Sequence, residues 1–222
     1  MRVHGKNVFN ELDTKSIRKV YLSKSFNDKK IIDFIKDNKI KYVLSDNKIM
    51  DNMIKNNQGI IVEIDDFEYS DISVIDNNFV IILDHIEDPH NFGAIIRTAE
   101  SMGVKNIIIP RDRSVVVNET VMKTSAGALN YVNIIRVTNL VNAIDYLKKE
   151  GFFIYGAEAD GVNYKSVDYS DKRCLVMGSE GKGISPIVRK NCDEIVSLPM
   201  KGHVNSLNVS VATAIFIYEM GD

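Results

Sequence analysis

The chain has 222 residues, 45% of them hydrophobic and 26% charged, with 28 Lys and Arg against 30 Asp and Glu. That composition belongs to an ordinary globular protein able to bury a sizeable core, and it excludes disorder as the general state. The near-even charge balance excludes a basic field over the whole surface, so a nucleic-acid partner would have to be held by local patches.

Residues 1–66 read as a small α/β unit. "NVFNEL" (7–12) opens a short helix, "IRKVYLS" (17–23) is a strand, and "NDKKIIDFIKDN" (27–38) is an amphipathic helix with Ile31, Ile32, Phe34 and Ile35 on one side. "KYVLS" (41–45) and "GIIVEI" (59–64) are further strands. Residues 67–78, acidic and rich in turn formers, read as a linker.

From Phe79 to Asp222 strands and helices alternate. Strands are expected at 79–84, 106–110, 132–137, 152–159, 173–178 and 194–199, and helices at 91–103, 118–129, 140–151, 185–192 and from about Asn208. Several strands are apolar at consecutive positions, which predicts a parallel sheet with helices on both faces. Ligands in such sheets sit beyond the carboxyl ends of the strands. The loops that matter are then "HIEDPHNFG" (85–93), "GSEGKGIS" (178–185) and "MKGHVNSLN" (200–208).

In the first loop Asn91 fits a helix N-cap and Gly103 the stop. Arg97 falls about two turns into that helix among Ile95, Ile96 and Ala99, and needs an anion. Asp84, Asp88 or Glu100 would serve structurally; a phosphate or a developing oxyanion would suit the guanidinium fork equally. The second loop sets Gly178, Gly181 and Gly183 around Glu180, but has neither the Walker spacing nor a GxGxxG fingerprint. Its glycines let the backbone come close to something, and Ser185-Pro186 starts a helix. In the third loop Ser206 or Asn208 could cap the last helix, which leaves His203, Asn205 and the other polar group without a role. That helix, "NVSVATAIFIYEM", is apolar nearly all round, so it is either central to its own core or covered by a partner.

Cys174 and Cys192 form no CxxC pair, the four histidines are scattered, and no apolar run nears the ~20 residues needed to span a bilayer. These features predict a cytoplasmic protein with no metal and no membrane association.

Together, "NFGAIIRTAE" (91–100), "VMGSEGKGIS" (176–185) and "LPMKGHVNSLNVSVATAI" (198–215) resemble the three motifs of the SPOUT class of methyltransferases, in its TrmH (SpoU) branch of RNA ribose 2'-O-methyltransferases. "SAGAL" (125–129) also resembles that branch, while "HGKNVFNEL" and "NNQGIIVEI" resemble its small L30e-like RNA substrate-binding domain. The most similar subgroup is the bacterial 23S rRNA guanosine-2'-O-methyltransferase. The resemblance implies a carboxyl-terminal trefoil knot, S-adenosyl-L-methionine as cofactor, structured RNA as substrate, and a homodimer through the knot region whose active sites draw on both subunits. By motif position Gly178, Leu198 and Leu207 would hold the cofactor, with Tyr155, Gly156, Ala157 and Met200 nearby. Arg97 would stand beside the methyl donor, anchoring a phosphate and stabilising the forming alkoxide. Asn91 and Glu180 would orient Arg97 or the ribose, and Ser206 and Asn208 would complete the site. Three other readings compete: a transfer-RNA methyltransferase, a catalytically silent ribosome-assembly protein that binds RNA, and a nucleotide-dependent oxidoreductase. The absence of an early GxGxxG argues against the last.

Overall fold

A computed structural model describes residues 1–221 and contains two sheets. The first has the order β1-β4-β2-β3, built from β1 (Arg2–His4), β2 (Ile17–Ser23), β3 (Tyr42–Ser45) and β4 (Ile60–Ile64). Strands β2 and β3 are parallel and the other pairs antiparallel. Around it stand α1 (Lys6–Glu11), α2 (Lys29–Asp37) and α3 (Asn47–Met53). Neither β1 nor α3 is expected from the sequence.

Asp28 starts α2 by accepting a hydrogen bond from the Ile31 amide. Residues four apart share a helix face, so Ile31 and Ile35 are buried against the sheet. Phe34 lies off that face and is 41% exposed, contrary to its expected place with them. The free edge of this sheet, β3, leaves Tyr42, Val43 and Leu44 exposed.

The second sheet is wholly parallel, in the order β10-β8-β9-β5-β6-β7. Its strands are β5 (Phe79–Asp84), β6 (Asn106–Pro110), β7 (Asn133–Val137), β8 (Phe153–Asn163), β9 (Arg173–Gly178) and β10 (Glu194–Ser197). The helices are α4 (Pro89–Ser101), α5 (Glu119–Ser125), α6 (Leu140–Lys149), α7 (Pro186–Lys190) and α8 (Val209–Gly221). Side chains alternate between the faces of a strand. Ile81, Leu83 and Ile107 therefore pack with α4 and α8 through Phe92, Ile96, Phe216 and Ile217. Val80, Ile82 and Ile108 pack on the other side with Ile144 and Leu147 of α6. Each such buried aliphatic or aromatic side chain stabilises the fold by roughly 1.5–3 kcal/mol. The consecutive apolar positions thus have the cause expected of them, since all six residues of β5 are buried.

The helix expected over 118–129 is interrupted. α5 ends at Ser125, Ala126 and Gly127 turn left-handed at φ 49° and 84°, and a 3-10 turn follows over Ala128–Asn130. Between the sheets, Phe67 and Tyr69 pack on the core of the second sheet, and the Ser70 amide donates to the Ile134 carbonyl at 2.9 Å. The two sheets also meet through the Asn130 side-chain amide, which donates to the Glu11 carbonyl at 2.9 Å. Among the described residues no helix is long and apolar enough to cross a membrane.

Candidate active site

The first loop enters α4 through Asp88-Pro89. The Asp88 carboxylate accepts from the backbone amides of His90 at 3.1 Å and Asn91 at 3.3 Å, and Pro89 occupies the first turn, where its missing N–H costs nothing. Asp88 is therefore the N-cap, not Asn91. Relieved of that role, the buried Asn91 side chain donates from Nδ2 to Glu180 Oε1 at 3.0 Å. Asn208 closes the arrangement: its Nδ2 donates to Asn91 Oδ1 at 2.8 Å and to Glu180 Oε1 at 3.0 Å. Its Oδ1 accepts from the Ser210 and Val211 amides, so Asn208 caps α8 while its other end joins the loops. Three segments far apart in the chain converge on one carboxylate.

The glycine loop owes its shape to close backbone approach. Ser179 and Gly183 exchange backbone hydrogen bonds at 3.1 and 2.9 Å. Gly181 and Gly183 turn at φ 78° and 66°. A Cβ on Gly178 would lie 2.0 Å from the Gly183 carbonyl carbon, so no other residue fits there without moving the loop. Two carboxylates tie the loop to the sheet. Glu158 accepts from the Ile184 amide at 2.6 Å, and the buried Asp84 accepts from the Ser185 amide at 2.7 Å while also contacting His85 Nδ1.

A cavity of about 550 Å³ lies between these loops. Of the residues expected to hold a cofactor, Gly178, Leu198, Leu207, Met200 and Ala157 line it, as do Glu180, Ser206 and Asn208. Tyr155 and Gly156 do not. Tyr155 is 1% exposed inside the core, its hydroxyl accepting from the Ser170 amide, and Gly156 abuts Cys192 and Ile195. Asn205 lines the cavity, whereas His203 is exposed and outside it. Glu158 and Phe216 line it too, and sequence reasoning missed both. A lone carboxylate in the otherwise apolar run 152–159 was the available signal for Glu158. For Phe216 there was none beyond its helix. Burial pushes the Cys192 thiol up to about 12 and holds the Cys174 thiol well above its ordinary value, so neither is a nucleophile near neutral pH. Among the described residues no cluster of three or more His, Cys, Asp or Glu side chains is placed to hold a metal ion.

Arg97 does not join the cavity of its own chain. Six residues along a helix turn through roughly 600°, leaving Arg97 about 120° from Asn91 around α4. It is exposed, and among the described residues its guanidinium has no ion-pair partner within 4 Å. Its charge is felt by Glu11 of the first domain: burial raises the Glu11 carboxyl above its ordinary value, and Arg97 pulls against that rise.

Residues 78–218 match the family model described as the SpoU rRNA methylase family. The chain belongs to that family. Residues 2–70 match a second model, described as RNA 2'-O ribose methyltransferase substrate binding. This SpoU protein is thus an RNA 2'-O-ribose methyltransferase with a substrate-binding domain at its amino-terminal side. It is 38% identical over 218 residues to a protein of Staphylococcus haemolyticus described as a TrmH family tRNA/rRNA methyltransferase, covering 92% of this chain and 88% of that one. Its fold is similar to that of the SpoU methyltransferase AviRb from Streptomyces viridochromogenes, solved in complex with AdoMet. There the TM-score is 0.84 at 20% identity, over 100% of this chain and 89% of AviRb. The TrmH/SpoU tRNA modifying enzyme of A. aeolicus is 33% identical, with a TM-score of 0.59 over 65% of this chain and 74% of that one.

Proposed function

We propose that this SpoU enzyme methylates the ribose 2'-hydroxyl of a guanosine in 23S rRNA, with S-adenosyl-L-methionine as donor, in the cytoplasm and as a homodimer. The observation that carries the reading is the joint of Asn91, Glu180 and Asn208 beside the 550 Å³ cavity.

The cavity suits the donor. Its volume lies within the ~300–1,000 Å³ of small-molecule sites. Leu198, Leu207 and Phe216 offer apolar surface for a purine ring, Gly178 leaves backbone where a side chain cannot stand, and Glu158 and Glu180 bring negative charge to a cationic ligand. When bound, that ligand supplies an electrophilic methyl group on a sulfonium sulfur. The chain's own residues position the ribose. Ser206 lies exposed on the cavity wall and serves as a hydrogen-bonding group for the nucleotide, while Asn208, both ends of its amide engaged, completes the site by holding Asn91 and Glu180 in place. The threading of residues 198–208 past residues 178–183 as a trefoil knot is part of the proposal; it is supported by both segments walling one cavity and by Asn208 reaching Glu180.

A guanidinium offers donors and no acceptor, so Arg97 acts as an anchor for phosphate and for the forming alkoxide, and not as a base. Since it faces away from its own cavity, it serves the partner's. α8 supports such pairing, because Val211 and Tyr218 of this apolar helix are 49% and 62% exposed. Residues 1–66 act as the RNA-gripping unit, 67–78 as the link and 79–222 as the transferase.

Mixing two inactive full-length variants tests the composite site. Arg97→Ala loses the anchor and Leu207→Arg fills the cavity; co-refolded together they are expected to regain methyl transfer, because some heterodimers carry one intact site. No recovery would place Arg97 in its own subunit's chemistry. The substrate is read by mapping 2'-O-methyl groups in cells lacking the protein. Loss at one 23S guanosine is expected, and loss confined to transfer RNA would overturn the ribosomal assignment.

A further inference from the structure

A second cavity, of about 340 Å³, lies in the amino-terminal domain, apart from the three motifs that wall the first cavity. Phe26 lines it, the ring resting on Gly59, where an added Cβ would come within 3.1 Å of the ring. The rest of the wall is dominated by side-chain amides: Asn27, Asn47, Asn56, Asn57 and Gln58.

These amides divide into frame and free groups. Asn57 is frame: buried, it donates to Asp51 at 2.9 Å and to the Ile54 carbonyl at 2.8 Å, and accepts from the Gly59 amide at 2.9 Å. It braces a loop in which Asn56, Gln58 and Gly59 all stand in the left-handed region, at φ 58°, 56° and 78°. Two non-glycine departures of this kind within three residues are costly and persist where surrounding structure enforces them. Asn47 is oriented by Ser23 and Ser25. Gln58 accepts from the Lys6 amide through Oε1, which leaves its NH₂ free. Among the described residues the side-chain amides of Asn27 and Asn56 have no hydrogen-bond partner.

The cation of this cavity is already paired, and its carboxylate is hydrogen-bonded. The Lys6 ammonium lies 3.1 Å from Asp28 and 5.3 Å from the Phe26 ring centroid, and Asp51 is engaged by Asn57. A free anion would find donors mixed with acceptors and no spare cation. An uncharged heterocycle with both donors and acceptors on its edge fits better, because an amide offers one of each and an aromatic ring offers a stacking face.

We infer that this cavity is a nucleobase subsite: it takes one unpaired base of the RNA substrate, stacked on Phe26, with Asn27, Asn47, Asn56 and Gln58 reading its edge. The inference rests on the RNA-methyltransferase reading and deepens it. The placement agrees. α1 begins at Lys6 on this cavity and ends at Glu11, whose carboxyl feels Arg97. Six helical residues span only ~8 Å. RNA whose base is held here passes the Arg97 face of α4.

Two measurements on the full chain test it. The first titrates isotope-labelled protein with AMP, GMP, CMP and UMP and follows the side-chain amide resonances. The second measures binding of transcribed 23S rRNA domains and of bulk transfer RNA, with S-adenosylhomocysteine binding as the control. At least one nucleotide is expected to shift the Asn47 and Gln58 amides, and Phe26→Ala to weaken binding of the substrate RNA about 5- to 100-fold with the control unchanged. Asn56→Gly keeps the left-handed backbone and removes only an amide, so it gives the same readout, smaller, if Phe26→Ala melts early. Nucleotide shifts without any effect of either variant on RNA binding would make this a free-nucleotide site and overturn the inference. Silent amides in an enzyme that still methylates RNA overturn it as well, while leaving the proposed activity standing. Absence of RNA methylation would instead defeat the activity itself.

Discussion

The cavity of the catalytic domain is walled largely by backbone and apolar groups, whereas that of the amino-terminal domain is walled by side-chain amides. The first depends on close approach: Gly178 tolerates no Cβ, and the loop is tied down by Glu158 and Asp84. The second depends on groups held at a distance from one another by one braced loop. The same contrast runs through the sheets beneath. Every residue of β5 is buried, while β3 leaves three apolar side chains in water. A cavity made of backbone tolerates little change in its scaffold, and a cavity made of side chains can change specificity one residue at a time.

The largest effect should come from the catalytic scaffold. Phe92→Ala, fully buried between α4 and the sheet, is expected to cost about 3–5 kcal/mol in denaturant unfolding. A loss below 1 kcal/mol would break the contrast. Arg97→Ala should reduce the methylation rate about 10²- to 10³-fold while leaving S-adenosylhomocysteine affinity unchanged. Altered cofactor affinity would mean that Arg97 belongs to the cavity it faces away from. Asn208→Ala removes the cap of α8 and one partner of Glu180, for roughly 1 kcal/mol of stability together with weaker cofactor binding. A stability change without the binding change would reduce Asn208 to a cap.

Smaller effects sharpen the domain boundary. The Glu11 carboxyl is raised by burial, so the folded state holds its proton more tightly than the unfolded chain does. Stability therefore declines as pH rises from below 4.5 toward neutrality, and Glu11→Gln should flatten that decline in pH-dependent thermal melts. Removing Arg97, which opposes the shift, should steepen it. Smallest of all, Leu44→Asn on the exposed β3 should change stability by no more than about 0.5 kcal/mol. A larger loss would mean that another surface covers this edge.

The parallel sheet was legible because strands covered on both faces are apolar at successive positions, and Phe79 to Asp84 display that without ambiguity. The three loops were legible from their unusual residues. The cap of α4 was misread although Asp88-Pro89 carried the signal, since Pro at the first helical position implies its predecessor as cap. The orientation of Arg97 was also written in the sequence, as a six-residue interval that cannot share a helix face with Asn91. What could not be read was tertiary. β1 is three residues long and exists through its pairing with β4, and Tyr155 is taken from the cavity by the aromatic cluster around Phe153 and Tyr169. The amide cavity was illegible for the same reason, because its lining comes from four separate segments, the start of α1, the end of β2 with its following turn, α3 and the loop before β4, with no shared spacing.

The order of the second sheet has a consequence for biosynthesis. β5 finds its neighbour β9 only when Arg173 to Gly178 have been made, and Phe79 pairs with Arg173. At ~5–20 residues per second the intervening chain takes roughly 5–20 s to emerge. During that interval one edge of the most apolar strand waits open beside the ribosome, as a template for wrong pairing. The nascent protein should therefore depend on holding chaperones most heavily between the appearance of β5 and that of β9, and synonymous codons that slow this stretch should lower its soluble yield.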